Sequence, residues 1–133
     1  MKTTSISAGL ALAALALAGP LSPVLAGTSD YEFRLNQPEV RKGAAAIIAT
    51  TLVNKRTGKA VPDAVIFAKR LDMQPSGMET MTTPVEALPS TEPGVYRFKA
   101  DLPMDGSWRL SLGAKVQGET GTVESKLVLK AKP

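Results

Sequence analysis

The sequence predicts an all-β fold on three observations. Apolar and polar residues alternate with a period of two along most of the chain, which is typical of strands with one buried face. Six or seven runs of strand length are separated by short segments rich in turn-forming residues. No run has the apolar period of 3.6 that an amphipathic helix requires. With about 105 residues after an N-terminal leader, these observations favour an immunoglobulin-like antiparallel β-sandwich of about seven strands, and a small closed barrel is the alternative.

The first 26 residues have the composition of a secretory signal peptide. Lys2 gives a positive start, residues 8–19 form an apolar segment, and Val24-Leu25-Ala26 is a small-residue cleavage site. The apolar segment is shorter than the roughly 20 residues that a membrane-spanning helix needs. We therefore predict a cleavable signal peptide over residues 1–26 and one exported domain over residues 27–133. The mature domain is expected to be periplasmic and not to span the membrane.

The strands follow in order after the leader. The first is predicted from the alternation of Tyr31, Phe33 and Leu35 with charged residues. The segment from Asp72 to Gly94 is broken by four prolines, so we expect a loop there with one short strand near residues 81–88. The remaining predicted strands are Ala44 to Val53, Ala64 to Leu71, Val95 to Leu102, Trp108 to Val116 and Val123 to Leu129.

Two neighbouring strands have apolar faces that must meet in the same core. One face carries the alternate residues from Tyr96 to Met104, and the other carries those from Trp108 to Val116. If the strands pair directly, a three-residue loop sets Leu102 opposite Leu110. If the connection crosses between sheets, the two faces meet across the core instead. Both arrangements predict that Met104 lies close to Trp108.

A cluster of methionines is the strongest functional signal in the sequence. Met73, Met78 and Met81 lie in DMQPSGMETM, residues 72–81, where the neighbouring side chains are mostly polar. The Pro75-Ser76-Gly77 turn is expected to fold Met73 back towards Met78. A thioether is soft and has no proton to lose, so it suits Cu(I) or Ag(I) and binds hard ions poorly. The cluster therefore predicts a site for a monovalent coinage metal.

Met104 and Trp108 extend this candidate site. Met104 is expected to supply a fourth thioether, and the indole face of Trp108 would cap the ion through a cation–π contact. The alternative for this pair is ordinary core packing, since methionine packs well on aromatic rings. Methionine is also common at adaptable protein-binding surfaces, so the same loop is compatible with a docking role that involves no metal.

Other classes of function find little support in the composition. The chain has no cysteine and no histidine, which removes the usual nucleophile–base pairs and most transition-metal ligands. Removal of Lys2 leaves a net charge of +3 with no basic stripe, which argues against nucleic acid. We predict neither an enzyme nor a nucleic-acid partner.

Two stretches resemble the FixH/YtkA-like family. PGVYRFKADLPMDGSWRLSL, residues 93–112, is similar to its Pro-Gly-Val-Tyr opening and Met-x-Gly-x-Trp-like turn, and GKAVPDAVIFAKRLDM, residues 58–73, is similar to its upstream part. The resemblance extends over about residues 31–129 and places Met104, Gly106 and Trp108 in the turn motif. It implies an exported immunoglobulin-like β-domain associated with oxidase copper handling or heavy-metal efflux. The chain lacks the transmembrane helix of FixH and the histidines of many metal-binding relatives.

These observations predict a periplasmic Cu(I)- or Ag(I)-binding accessory protein that uses its methionine-rich loop. It would act as a metal chaperone or buffer for a membrane efflux or oxidase-assembly protein, which is the partner that the resemblance implies. The predicted ligands are Met73, Met78, Met81 and Met104, with Trp108 as the capping aromatic residue. The alternative is a β-sandwich adaptor that docks on a membrane complex through the same loop and binds no metal.

Overall fold

A computed structural model describes residues 30–133, so the predicted signal peptide and its cleavage site lie outside the described residues. The described chain forms ten strands and a 3₁₀ helix, Gln74–Ser76, between the fifth and sixth strands. The strands are β1 (Tyr31–Leu35), β2 (Glu39–Arg41), β3 (Gly43–Asn54), β4 (Lys59–Ala60), β5 (Val65–Met73), β6 (Met78–Thr83), β7 (Val85–Leu88), β8 (Val95–Leu102), β9 (Gly106–Lys115) and β10 (Val123–Lys132).

The strands form two sheets that pack face to face. The first sheet has the order β1-β3-β8-β7, with β4 also paired to β3, and the second has the order β2-β10-β9-β5-β6. The pairs are antiparallel except that the short strand β2 runs parallel to β10. The predicted antiparallel β-sandwich is confirmed, and the parallel edge pair was not foreseen from the sequence.

The core lies between the inner faces of β8 and β9, which belong to different sheets. β8 pairs with β3 and β7, whereas β9 pairs with β10 and β5. The connection therefore crosses between the sheets, and the direct pairing of Leu102 with Leu110 does not occur. The predicted face of β9 is confirmed, because all five apolar residues from Trp108 to Val116 are buried. The predicted face of β8 is confirmed from Tyr96 to Leu102, but Met104 lies beyond the end of the strand and is exposed.

The prediction for residues 72–94 was wrong in part. In place of a loop with one short strand, this segment completes β5 and contains both β6 and β7, which lie on either side of Pro84. β6 pairs with β5 in the second sheet, and β7 pairs with β8 in the first. The chain thus changes from the second sheet to the first at Pro84. Proline has no backbone N–H, so a strand that continued through it in one sheet would lose a hydrogen bond to its neighbour. Within residues 30–133 no helix is long and apolar enough to cross a membrane.

Candidate metal site at the methionine end

The hairpin between β5 and β6 brings two of the predicted ligands together. Met73 is the last residue of β5 and Met78 the first of β6, and their Cα atoms are paired across the hairpin. The 3₁₀ helix between them has Pro75 in its first turn and ends at Gly77, which adopts a left-handed conformation with φ of 81°. Glycine reaches this conformation without the steric cost that a Cβ atom imposes. The predicted turn of Met73 towards Met78 is therefore confirmed.

The tip of this hairpin rests on the beginning of β9. Gly106 opens β9 with φ of 133°, and the Met73 Cε atom lies only 2.9 Å from the position that a Cβ atom on Gly106 would occupy. The Ser107 N–H donates to the Ser76 hydroxyl oxygen at 3.0 Å. The hydroxyl in turn donates to the Ser107 carbonyl at 3.3 Å. The bare Cα of Gly106 thus allows Met73 and the 3₁₀ helix to approach the strand closely.

Met104 reaches the same end of the sandwich from the loop between β8 and β9. The Trp108 indole N–H donates to the Met104 carbonyl oxygen at 3.1 Å, so the predicted proximity of these two residues is confirmed. Trp108 is fully buried, which agrees with the alternative of core packing for its indole ring. We call Met73, Met78 and Met104, together with Gly106 and Trp108, the methionine end.

The four methionines differ in their access to solvent. Met73 is only 1% exposed, whereas Met78 and Met104 are 38% and 36% exposed. Met81 lies three residues beyond Met78 on β6, where it is half-buried and packs against the core. The side chains of Met78 and Met104 are thus accessible to an ion from solvent, whereas the side chain of Met73 is not.

The residue that anchors this end was missed by sequence reasoning. Asp72 is fully buried on the outer face of the second sheet, although its neighbours in the loop were expected to be exposed. One of its carboxylate oxygens, Oδ2, accepts from Arg70 and from Arg109, each at 3.0 Å. The other, Oδ1, accepts from the backbone N–H of Gln74 at 2.9 Å. This last bond fixes the start of the 3₁₀ helix that separates Met73 from Met78.

These contacts determine the charge state of Asp72. Burial alone would raise the pKa of its carboxyl, because a charged group is less stable away from water. The hydrogen bonds from Gln74, Arg70 and Arg109, with the positive charge of Arg109, outweigh burial and hold the pKa below its usual range. Asp72 is therefore ionised at neutral pH. The only hint in the sequence is its position between two apolar residues, Leu71 and Met73.

The two arginines extend from Asp72 to the sixth strand. Arg70 donates to the Glu79 carbonyl oxygen at 3.2 Å, and Arg109 lies 3.6 Å from the Glu79 carboxylate. The network therefore joins β5, β6 and β9 across the outer side of the hairpin that holds Met73 and Met78. Arg109 Nε is buried without a hydrogen-bond partner among the described residues, so the network is satisfied except at this atom. Polar networks that connect several strands favour one arrangement of those strands.

The methionines are the candidate metal ligands that this end offers. Across residues 30–133 no three histidine, cysteine, aspartate or glutamate side chains are grouped so that they could hold a metal ion. The charge of Asp72 is already directed at two arginines, so it is not free to act as an oxygen ligand. A metal at this end would be held by thioethers, which select soft monovalent ions.

Two packed sheets with a methionine-bearing end define the chain as an immunoglobulin-like β-sandwich domain. The model of the YtkA-like family matches residues 25–113, about two thirds of the sequence, and the chain belongs to this family. The resemblance noted from the sequence is thereby confirmed. The matched region includes Met104, Gly106 and Trp108, whose contacts give a structural reason for the turn motif.

Several solved structures match this chain at low sequence identity and with TM-scores below 0.5. They include the Lin-41 filamin domain, at 17% identity over 77% of this chain and 96% of that chain, with a TM-score of 0.43. The ZirS C-terminal domain matches at 13% identity over 90% of this chain and 88% of that chain, with a TM-score of 0.45. A conjugative transposon lipoprotein from Bacteroides eggerthii matches at 14% identity over 75% and 96%, with a TM-score of 0.34. No curated protein sequence matches significantly.

Proposed function

We propose that this protein is a periplasmic accessory protein that binds Cu(I) or Ag(I) through the thioethers of the methionine end. The observation that supports this most strongly is that Met73 and Met78 are paired across the β5–β6 hairpin, and that Met73 lies against Gly106, two residues after Met104. Convergent thioethers form a soft site without any ionisable ligand. Such a site would hold coinage metal at pH values where histidine or cysteine ligands are protonated.

The proposed role is that of a metal chaperone or buffer for a membrane efflux or oxidase-assembly system. The signal-peptide composition of residues 1–26 supports export to the periplasm. Membership of the YtkA-like family supports a connection with copper or heavy-metal handling. The partial exposure of Met78 and Met104 supports transfer, because a partner can reach the ion without unfolding the core.

A competing function is docking of the methionine end onto a partner protein without metal. The observation in its favour is that Met78 and Met104 are two of the few large hydrophobic side chains exposed by more than a third in the described residues. Flexible thioether side chains adapt well to a protein surface. The two functions make different predictions for metal binding by the isolated domain.

Titration of the mature protein with Ag(I), followed by calorimetry, tests the proposed function. We expect saturable Ag(I) binding that persists at pH 5, and no binding of Zn²⁺, Ca²⁺ or Mg²⁺. Replacement of Met73, Met78 and Met81 together by leucine should weaken Ag(I) binding by at least about tenfold, because leucine keeps the volume but removes the sulfur.

A second variant separates loss of ligands from damage to the core. The double replacement Met78→Leu and Met104→Leu changes only partly exposed side chains, so its melting temperature should stay close to that of the wild type. Its Ag(I) affinity should nevertheless fall, whereas the exposed control Ile47→Leu should bind normally. Equal and weak binding by all of these proteins would refute the metal site and leave the docking function.

A further inference from the structure

The outer face of the second sheet differs in charge from the rest of the molecule. Its charged side chains are seven basic and four acidic residues, which gives a net charge of +3. The strand registers assign to this face Arg41, Arg70, Arg109, Lys115, Lys126, Lys130 and Lys132, with Glu39, Asp72, Glu79 and Glu124.

The other charges of the described chain cancel. The outer face of the first sheet carries three basic and three acidic residues, namely Arg34, Arg97, Lys99, Glu32, Glu86 and Asp101. The remaining charged residues of the part that the structure describes are five basic and five acidic. The whole net charge of residues 30–133 therefore lies on one face. Three of its lysines, Lys115, Lys126 and Lys130, form no ion pair with another described residue.

The same face carries the most exposed apolar side chains. Val65, Phe67 and Val128 are 62%, 55% and 56% exposed, whereas every other large hydrophobic residue among the described ones is less than 40% exposed. Phe67 lies in the irregularity where the β5 register shifts against β9, and its ring covers Gly113. A Cβ atom on Gly113 would lie 3.0 Å from this ring, so the absence of a side chain there allows the ring to lie against the strand.

A groove runs along β9 on this face. Its cavity volume is about 640 Å³, its floor includes Ser111 and Gly113, and its two sides are formed by β5 and β10. Arg70 and Phe67 stand on one side, and Lys126 and Glu124 stand on the other. Strands two positions apart in a sheet are separated by about 10 Å, which is wide enough for one extended chain. The groove thus combines an aromatic wall, a floor of small residues and a basic side chain on each side, with the Glu124 carboxylate at the β10 side.

We propose that this groove binds an extended acidic segment of a partner protein that also carries apolar side chains. The charge of Lys126, with the net positive charge of this face, would attract carboxylates, and Phe67 would contact an apolar side chain of the segment. A lipid bilayer is favoured less, because a flat surface would leave the recessed floor at Ser111 and Gly113 unfilled. This site lies on the outer face of the sheet and does not depend on metal binding at the methionine end.

The test uses the mature protein and a fluorescein-labelled octapeptide of alternating glutamate and valine, followed by fluorescence anisotropy at low salt. Peptides with glutamine or lysine in place of glutamate are the controls. We expect binding of the glutamate peptide only, and weakening of that binding as salt is raised. In an NMR titration, the largest shift changes should fall on Phe67, Ser111, Gly113 and Lys126.

Matched variants then locate the binding site. Lys126→Glu should weaken binding of the glutamate peptide about five- to tenfold, and Phe67→Ser should weaken it as well. Arg97→Glu makes the same charge change on the outer face of the first sheet and should leave binding within about twofold of wild type, as should Ile47→Ser. Unchanged melting temperatures would show that all four variants are folded.

Three results would overturn the proposal. The first is equal binding of the glutamate and glutamine peptides, and the second is an equal effect of Lys126→Glu and Arg97→Glu. The third is that the wild-type protein does not bind the glutamate peptide but does bind vesicles containing phosphatidylglycerol, and that Lys126→Glu abolishes this vesicle binding. That last result would assign the face to a membrane surface.

Discussion

Asp72 is a buried charge whose stability depends on its partners. Three donors surround its carboxylate, and two of them belong to arginines whose own charges it balances. A buried charge that loses its partner is strongly destabilising, whereas the exposed pair between Lys42 and Asp105, at 3.9 Å, is of a kind that contributes little. The same carboxylate holds the hairpin that carries Met73, so stability and the candidate site are connected at this residue.

The lowered pKa of Asp72 predicts a specific loss of stability in acid. Because the pKa in the folded state is below the value of about 3.9 expected in the unfolded chain, the contribution of Asp72 is complete above that pH. It is lost as the pH falls through the folded-state pKa. We expect the free energy of unfolding, measured with urea, to decrease below about pH 4, and to decrease less steeply in Asp72→Asn.

The size of the effect at neutral pH is a second part of this prediction. Asp72→Asn should lower the free energy of unfolding by about 2 kcal/mol, which is less than for a fully buried pair because Arg70 is half-exposed. The control Asp105→Asn should change it by less than about 0.5 kcal/mol. Equal effects of the two substitutions would contradict the importance of the Asp72 network.

Gly106 is predicted to be required for the close contact with Met73. In Gly106→Ala the new Cβ atom would lie 2.9 Å from Met73 Cε, at a backbone conformation that alanine rarely adopts. We expect a loss of about 2 to 3 kcal/mol in the free energy of unfolding. Gly118→Ala, with φ of 88° and no atom near its Cβ position, has the backbone strain alone and should lose less. If Gly106→Ala lowered the free energy of unfolding no more than Gly118→Ala does, the Met73 side chain would move aside at no cost, and the prediction would be wrong.

At the scale of the elements, the β5–β6 hairpin is the part that sequence reasoning described least well. Its proline and its glycine indicated a loop, and the turn at Pro75-Ser76-Gly77 was predicted correctly. The strand β6 was only partly foreseen, because its alternation is weak and it is held by the Asp72 network. That network depends on Arg109, which is 37 residues away in the sequence. A contact between such distant residues leaves no local pattern to recognise.

The two methionines of the hairpin are expected to differ in their effect on stability. Met73→Leu alters a buried side chain that fits against Gly106, so it should lower the melting temperature by several degrees, equivalent to about 1 kcal/mol. Met78→Leu alters a partly exposed side chain and should leave the melting temperature almost unchanged. A larger decrease in melting temperature for Met78→Leu than for Met73→Leu would contradict the packing of Met73 against Gly106.

At the scale of the whole molecule, the sandwich could be predicted because its core strands alternate so regularly. The alternation of apolar residues from Phe98 to Leu102 and from Trp108 to Val116 determined which faces of β8 and β9 meet in the core, whichever way the strands were connected. The sheet order could not be predicted in the same way, since it depends on which distant strands pair. The charged outer face of the second sheet could not be predicted either, because Arg70, Lys126 and Lys130 become neighbours only through that order.

The central claim is that the methionine end binds a soft metal ion through sulfur. X-ray absorption spectroscopy of the mature protein loaded with Cu(I) tests it most directly, since the method reports both the oxidation state and the atoms bound to copper. We expect Cu(I) with sulfur neighbours only, and loss of this signal after desalting of the variant in which Met73, Met78 and Met81 are leucine. Nitrogen or oxygen neighbours in the wild type, or copper retained equally by the variant, would contradict the claim.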